Sequence, residues 1–167
     1  MKMHSLIISV FATVIFIAVS TSCSSSKKLT DSDVQRKVSQ AIGNRDFSIE
    51  VNQMLPMMGR AQHLTSLYSL KVKSDSVYSY LPFFGRAYSV PYGGGQGLIF
   101  DGLVQEYHQK KNDKGVYRIS FKSQTPEDTY VFSIEIYDNG SSQIRVNSNN
   151  RQSIAFVGEL KLQNSDK

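Results

Sequence analysis

The densest concentration of side chains that could bind a ligand lies between residues 78 and 100. This stretch combines aromatic rings, two prolines and the glycine-rich run 93–97. Aromatic rings offer flat apolar faces, phenols donate hydrogen bonds, and glycine lets a partner approach the backbone closely. These groups are therefore suited to binding a ligand or partner. The candidate binding residues are Tyr80, Phe83, Phe84, Arg86, Tyr88 and Tyr92.

The same stretch also admits a structural interpretation. Leu81, Phe83 and Phe84 would then anchor a long crossover in the core, and the glycines would allow a bend before the next strand. The glycine run does not match a phosphate-binding loop, because it lacks the following Lys and Ser or Thr and precedes strand-like sequence. Both interpretations, core crossover and binding surface, stay open at this point.

Residues typical of catalysis or metal binding are sparse. Beyond residue 22 the histidines are His63 and His108, which lie far apart in the sequence. His108 and Glu106 form the one nearby acid and base pair, and an exposed strand pair explains it. No cysteine and no acid stand at metal-ligand spacing from either histidine, so we expect no metal site and no cofactor. We therefore expect a non-enzymatic protein and keep a hydrolase with a dispersed site as the third alternative.

The first 30 residues predict export followed by lipid attachment. Lys2 precedes an apolar stretch over 6–19, and small residues lead to Cys23, the only cysteine in the chain. The stretch is shorter than the roughly 20 apolar residues that span a bilayer, so it predicts a cleaved signal peptide. Cys23 would become the acylated N-terminus. Ser20 departs from the usual pattern, which has an apolar residue there, and an ordinary secretory signal is the alternative.

These features divide the chain into three parts. We expect a signal peptide over 1–22, a lipidated cysteine with a flexible tether over 23–30, and a single domain over 31–167.

Removing Lys2 with the signal leaves four of the five excess positive charges. The basic residues are scattered along the sequence without a basic helix, so we do not expect nucleic-acid binding. The expected partners are the membrane, through the lipid, and an envelope protein or small ligand.

The hydrophobic pattern predicts one helix followed by strands. Val34, Val38 and Ile42 recur at helical spacing over 31–42, with a left-handed stop expected at Gly43 and Asn44. From Asp46 onward apolar residues alternate with polar ones, and Asn- and Gly-rich turns separate the segments. The fold class is mainly β (α+β): an antiparallel meander forming a curved sheet or incomplete barrel, with one N-terminal amphipathic helix. Eight or nine strands are expected near 46–54, 65–73, 76–81, 97–100, 103–110, 116–123, 129–137, 142–148 and 152–162.

Several segments resemble a known family. The lipoprotein signal, the turn at 71–76 and above all LeuProPhePheGlyArgAla at 81–87 with ValProTyrGlyGlyGly at 90–95 are similar to the Bacteroidetes lipoprotein family called domain of unknown function number 4251. The closing stretch at 153–159 resembles the end of that family. The resemblance implies export, lipid attachment and a shared β fold, and it assigns no activity.

The resemblance also bears on location. In that phylum, acidic residues just after the lipid-bearing cysteine are associated with surface display, and SerSerSerLysLys at 24–28 lacks them. We expect an outer-membrane anchor facing the periplasm. The leading functional hypothesis is a module that binds a protein partner or small ligand through residues 78–97. The alternative is a carrier of lipid or another apolar molecule, with a cavity inside the curved sheet.

Overall fold

One helix and nine antiparallel strands make up the part of the chain that the computed structural model describes, residues 30–89 and 97–162. The helix α1 spans Asp31–Gly43. The strands are β1 Asp46–Pro56, β2 Gln62–Lys73, β3 Ser76–Leu81, β4 Leu98–Leu103, β5 Gln105–Lys111, β6 Tyr117–Gln124, β7 Thr129–Ile136, β8 Ser141–Ser148 and β9 Ile154–Leu160. The predicted mainly β meander with an N-terminal helix is confirmed.

The sheet curls until its two ends are joined. Its strand order is β4-β3-β2-β1-β9-β8-β7-β6-β5, so β4 and β5 stand at opposite ends although only Val104 separates them in the chain. Leu103 pairs with Ser76 of β3, whereas Gln105 pairs with Lys122 of β6. The extended segment 98–111 thus pairs with β3 through its first half and with β6 through its second half. This change of pairing closes the sheet into a nearly complete barrel. The expected class, a curved sheet or incomplete barrel, is confirmed, and the structure selects the nearly closed barrel.

Alternation along the strands fills the barrel with side chains. Every second residue of β7 points inward, and Tyr130 and Phe132 are almost completely buried. The ring centroids of Phe121 and Phe132 lie 4.8 Å apart, and those of Phe100 and Tyr130 lie 4.6 Å apart. Burying each such ring contributes about 1.5–3 kcal/mol, so these stacked rings are a main source of stability.

Helix α1 covers one end of the barrel. Val38 and Ile42 have no exposed surface, and Gln35 Nε2 donates a hydrogen bond of 2.9 Å to Asp138 Oδ2 in the turn between β7 and β8. The turns at 73–76, 111–117 and 136–141 lie at this same end. With 13 residues, α1 is too short and too polar to cross a membrane.

The end of α1 differs from the expectation. Asn44 has φ −81° and Gly43 is helical, so the expected left-handed stop at these residues is wrong. Arg45 takes the left-handed conformation instead, with φ 49°. Its carbonyl accepts a 2.8 Å bond from Ser74 N, and its guanidinium lies 4.3 Å from the ring centroid of Tyr107. These tertiary contacts offset the strain of a non-glycine residue in this region.

The buried phenol of Tyr130 makes stability sensitive to high pH. Burial raises the pKa of Tyr130 above the ordinary value of 10.0. In the unfolded chain this phenol ionises first, so its contribution to stability is complete below about pH 10 and is lost as the pH rises towards the folded pKa. We expect Tm to fall as the pH rises above about 10, and less steeply in Tyr130→Phe than in the parent. Thermal melts followed by circular dichroism measure both slopes, and the exposed Tyr137→Phe should retain the parental slope.

Candidate functional site

Residues 82–89 leave β3 and cross the end of the barrel opposite α1. There they run beside the connection between β8 and β9, and Ala87 pairs with Arg151. Tyr88 N donates to Asn150 O at 2.7 Å, and Gln152 N donates to Arg86 O at 3.0 Å. Arg86 N donates to Gln152 Oε1 at 3.0 Å. These bonds fix the backbone of the crossing segment.

A buried carboxylate organises the connection that holds this segment. Asp128 is 7% exposed and accepts hydrogen bonds from Thr129 N at 2.7 Å and Ser148 Oγ at 2.6 Å. It also accepts from Asn149 N at 3.1 Å and Asn150 N at 3.2 Å. Because four donors converge on one carboxylate, Asp128 sets the conformation of the turn that follows β8.

Phe83 has the contacts of a core anchor. Its ring is half-buried and packs against the barrel core. The guanidinium of Arg151, itself 7% exposed, lies 5.4 Å from the Phe83 ring centroid and 3.7 Å from Glu127 Oε2. A ring held in this way stabilises the crossover, in line with the structural interpretation of the segment.

The neighbouring side chains are exposed. Phe84 is 53% exposed and Tyr88 is 68% exposed, and Arg86 is exposed as well. Met58, 61% exposed, places its Sδ 3.8 Å from Gln152 Nε2, which brings the connection between β1 and β2 to the same place. Five exposed side chains at this end of the barrel form a surface that we call the rim. Its members are Met57, Met58, Phe84, Arg86 and Tyr88.

The remaining predicted site residues lie elsewhere. Tyr80 is on the outer face of β3, 48% exposed, with its ring stacked on Tyr68 at a centroid distance of 5.4 Å. The structure therefore gives Tyr80 other neighbours than the rim residues. Tyr92 and Cys23 lie outside the described residues.

Neither histidine side chain forms a hydrogen bond to an acid or a hydroxyl in the described part of the chain. His63 and His108 are both exposed. Glu106, the acid nearest to His108 in sequence, forms an ion pair with Lys122 at 2.7 Å. Within residues 30–89 and 97–162, no group of three or more His, Cys, Asp or Glu side chains could hold a metal ion.

Comparison with known proteins identifies the family of this chain. The sequence pattern of a family described as a domain of unknown function, DUF4251, matches residues 30–160. The chain belongs to this family. The fold is similar to that in a crystal structure of a DUF4251 family protein from Bacteroides eggerthii DSM 20697, with a TM-score of 0.62 and 21% identity over 76% of this chain and 86% of that chain. At this identity the likeness shows a shared fold. No curated protein matches the chain.

The family resemblance inferred from the residues is thus confirmed. In this DUF4251 chain, the motif at 81–87 forms the crossover and the first part of the rim. Lipid attachment at Cys23 stays a prediction.

Sequence reasoning missed the residues that hold the DUF4251 crossover in place. Asp128, Arg151 and Gln152 carry no motif. Asp128 bonds to Ser148, 20 residues away, and Gln152 bonds to Arg86, 66 residues away. The Asn149-Asn150 turn was the one local signal near them. That turn indicated where the chain reverses, but not that the Asp128 carboxylate accepts hydrogen bonds from its backbone.

Proposed function

We propose that this protein is a lipid-anchored, non-enzymatic binding module of the cell envelope whose rim contacts a protein partner. The observation that carries the proposal is the combination of a fixed backbone with exposed apolar side chains. Phe84 and Tyr88 are more than half exposed, although hydrogen bonds to Asn150 and Gln152 hold the chain between them.

A pre-organised surface of this kind favours binding. Because the backbone is already ordered, association loses less conformational entropy than it would with a free loop. Aromatic, methionine and arginine side chains are the types enriched at protein interfaces. More than half of each ring faces solvent, whereas a small ligand is usually enclosed on most of its surface. The rim therefore suits a protein partner better than a small molecule.

The position of the rim agrees with an anchored protein. The strand register places the rim at the barrel end that carries the 56–62 and 148–154 connections, opposite α1. A tether from Cys23 would reach Thr30 through seven residues, at most about 25 Å of extended chain. An anchor there would keep α1 near the membrane and leave the rim facing away from it, accessible to partners.

The packing inside the barrel favours this proposal over a carrier. Phe121, Tyr130, Phe132 and Phe156 are almost completely buried and occupy the interior that a carried lipid would need. A hydrolase would need a histidine near an acid or hydroxyl in a cleft. His108 lines an open depression with Ser120 and Glu135, but neither its imidazole nor that of His63 forms a hydrogen bond with another described residue.

Site-specific photo-crosslinking in the native envelope tests the proposal. A photoreactive phenylalanine analogue at position 58, 84 or 88 should form a crosslink to one and the same protein. The exposed Tyr137, on the α1 end of the barrel, is the matched position and should not form it. Mass spectrometry identifies the adducts.

A second background decides whether the rim itself binds. Phe84→Ser with Tyr88→Ser should abolish the adduct formed from position 58 and leave Tm within a few degrees, because both side chains are mostly exposed. Adducts that are absent from all three rim positions, or that also form at Tyr137, would contradict the proposal.

A further inference from the structure

The outer face of β1 to β4 presents a row of side chains that the rim does not use. Cross-strand pairing places Lys71 between Ser48 and Tyr78, and Tyr78 in turn pairs with Asp101. In the next row Ser69 pairs with Tyr80. These residues line an open depression of about 580 Å³, which we call the outer groove.

The cations of the outer groove are available to a ligand. Lys71 and Lys73 are exposed, and neither ammonium forms an ion pair or hydrogen bond with another described residue. Tyr78 and Tyr80 are 43% and 48% exposed, so part of each ring is accessible from solvent. A free cation beside an accessible ring is a combination that suits an anionic, ring-shaped ligand.

The outer groove continues beneath the helix. A second depression of about 760 Å³ shares Ser48 and Lys71 with it. The second depression adds Arg36, Lys37 and Lys161, so the combined lining contains five basic residues and two acidic ones, Asp46 and Asp101. Basic residues that are scattered in sequence are thus brought to one continuous surface by the fold. Arg36 and Lys161 already form ion pairs with Asp33 at 2.8 Å and Glu50 at 2.6 Å, so the attraction for anions comes chiefly from Lys71 and Lys73.

We infer that this combined groove binds an acidic oligosaccharide, a chain of sugar rings that carry carboxylate or phosphate groups. Lys71 and Lys73 would pair with the anionic groups. The faces of Tyr78 and Tyr80 would stack on the rings. Serine hydroxyls and the amides of Gln40 and Asn44, which also line the groove, supply donors and acceptors for sugar hydroxyls.

The length of the groove favours an oligomer over a small ion. Ligand sites that enclose one compact molecule occupy about 300–1,000 Å³, and this lining extends over two adjoining depressions. An inorganic phosphate would engage one or two lysines and leave the tyrosines without a role.

Calorimetry with a matched pair of sugars tests the inference on the purified full chain. The probes are a galacturonate hexasaccharide and its fully methyl-esterified form, which keeps the rings and removes the charges. We expect binding of the acidic form and at least about tenfold weaker binding of the ester. Lys71→Glu with Lys73→Glu should weaken binding of the acidic form by about tenfold or more.

Two further variants separate a site from general attraction. Lys110→Glu with Lys114→Glu makes the same charge change at β5 and the turn after it, and should leave the affinity within about twofold. Tyr78→Ser should weaken binding of the acidic hexasaccharide. Three results would overturn the inference: no binding of the acidic form, equal losses in the two double variants, or full displacement by inorganic phosphate at equal concentration.

Discussion

Asp128→Ala should lower the free energy of unfolding by about 3–5 kcal/mol. The carboxylate is almost completely buried and accepts from one hydroxyl, Ser148 Oγ, and three backbone amides. Alanine would leave these donors without an acceptor in a place that water reaches poorly. A donor left unsatisfied in a protein interior costs about 1–3 kcal/mol, so the loss of four bonds is among the largest effects that one substitution can have here.

Urea denaturation followed by circular dichroism measures this effect. Asp128→Asn keeps one acceptor oxygen and should fall between the parent and Asp128→Ala. The exposed Asp113→Ala, in the turn between β5 and β6, should change the free energy of unfolding by less than about 0.5 kcal/mol. A loss below about 1 kcal/mol for Asp128→Ala would show that the turn after β8 does not depend on this carboxylate.

The same substitution links stability to the rim. Asn150 N donates to Asp128, and Asn150 O accepts from Tyr88 N at 2.7 Å. Loosening this turn should therefore also free the crossing segment. Hydrogen exchange at the amide of Tyr88 should accelerate more than exchange in β1 and β2, whose residues form no hydrogen bond with Asp128.

The strands could be predicted from the sequence because alternation is a local property. Tyr130, Phe132 and Ile134 stand at every second position, and all three point into the barrel. The limits of β3, 76–81, also agree with the expectation. The prediction for the end of α1 was wrong because the left-handed conformation of Arg45 depends on a hydrogen bond from Ser74 N, in the turn between β2 and β3. No local pattern records this contact.

The candidate surfaces depend on contacts that no local pattern records. Arg86 and Gln152 are 66 residues apart, and their bonds exist only because the crossover passes over the β8–β9 connection. The combined groove likewise brings Arg36 together with Lys71 and Lys161, which are far apart in the sequence and meet only in the fold. The residues at 81–88 were recognisable by composition. Which of them anchor the crossover, as the half-buried Phe83 does, and which are exposed on the rim could be seen only in the fold.

The second substitution with a large expected effect on stability is at Gly158, where β9 lies close to β1. This glycine on β9 pairs with Val51 on one side and Ser142 on the other. A Cβ at this position would overlap the carbonyl oxygen of Glu50 and lie 2.9 Å from the Cα of Val51. The obstructing atoms belong to the backbone, so no side-chain rotation can relieve the overlap. We expect Gly158→Ala to lower the free energy of unfolding by about 2–4 kcal/mol.

Gly43→Ala is the matched control, since nothing lies within 4 Å of a Cβ added there and the residue is helical. It should be neutral or should stabilise by up to about 1 kcal/mol, because alanine is the better helix former. Urea midpoints for the two variants measure the difference directly. The β1–β9 pair joins the first strand to the last, so a large loss at Gly158 would mean that this close approach holds the barrel together. Equal midpoints would mean that the two strands can separate locally at little cost, and that closure depends on the continuous β4–β5 run instead.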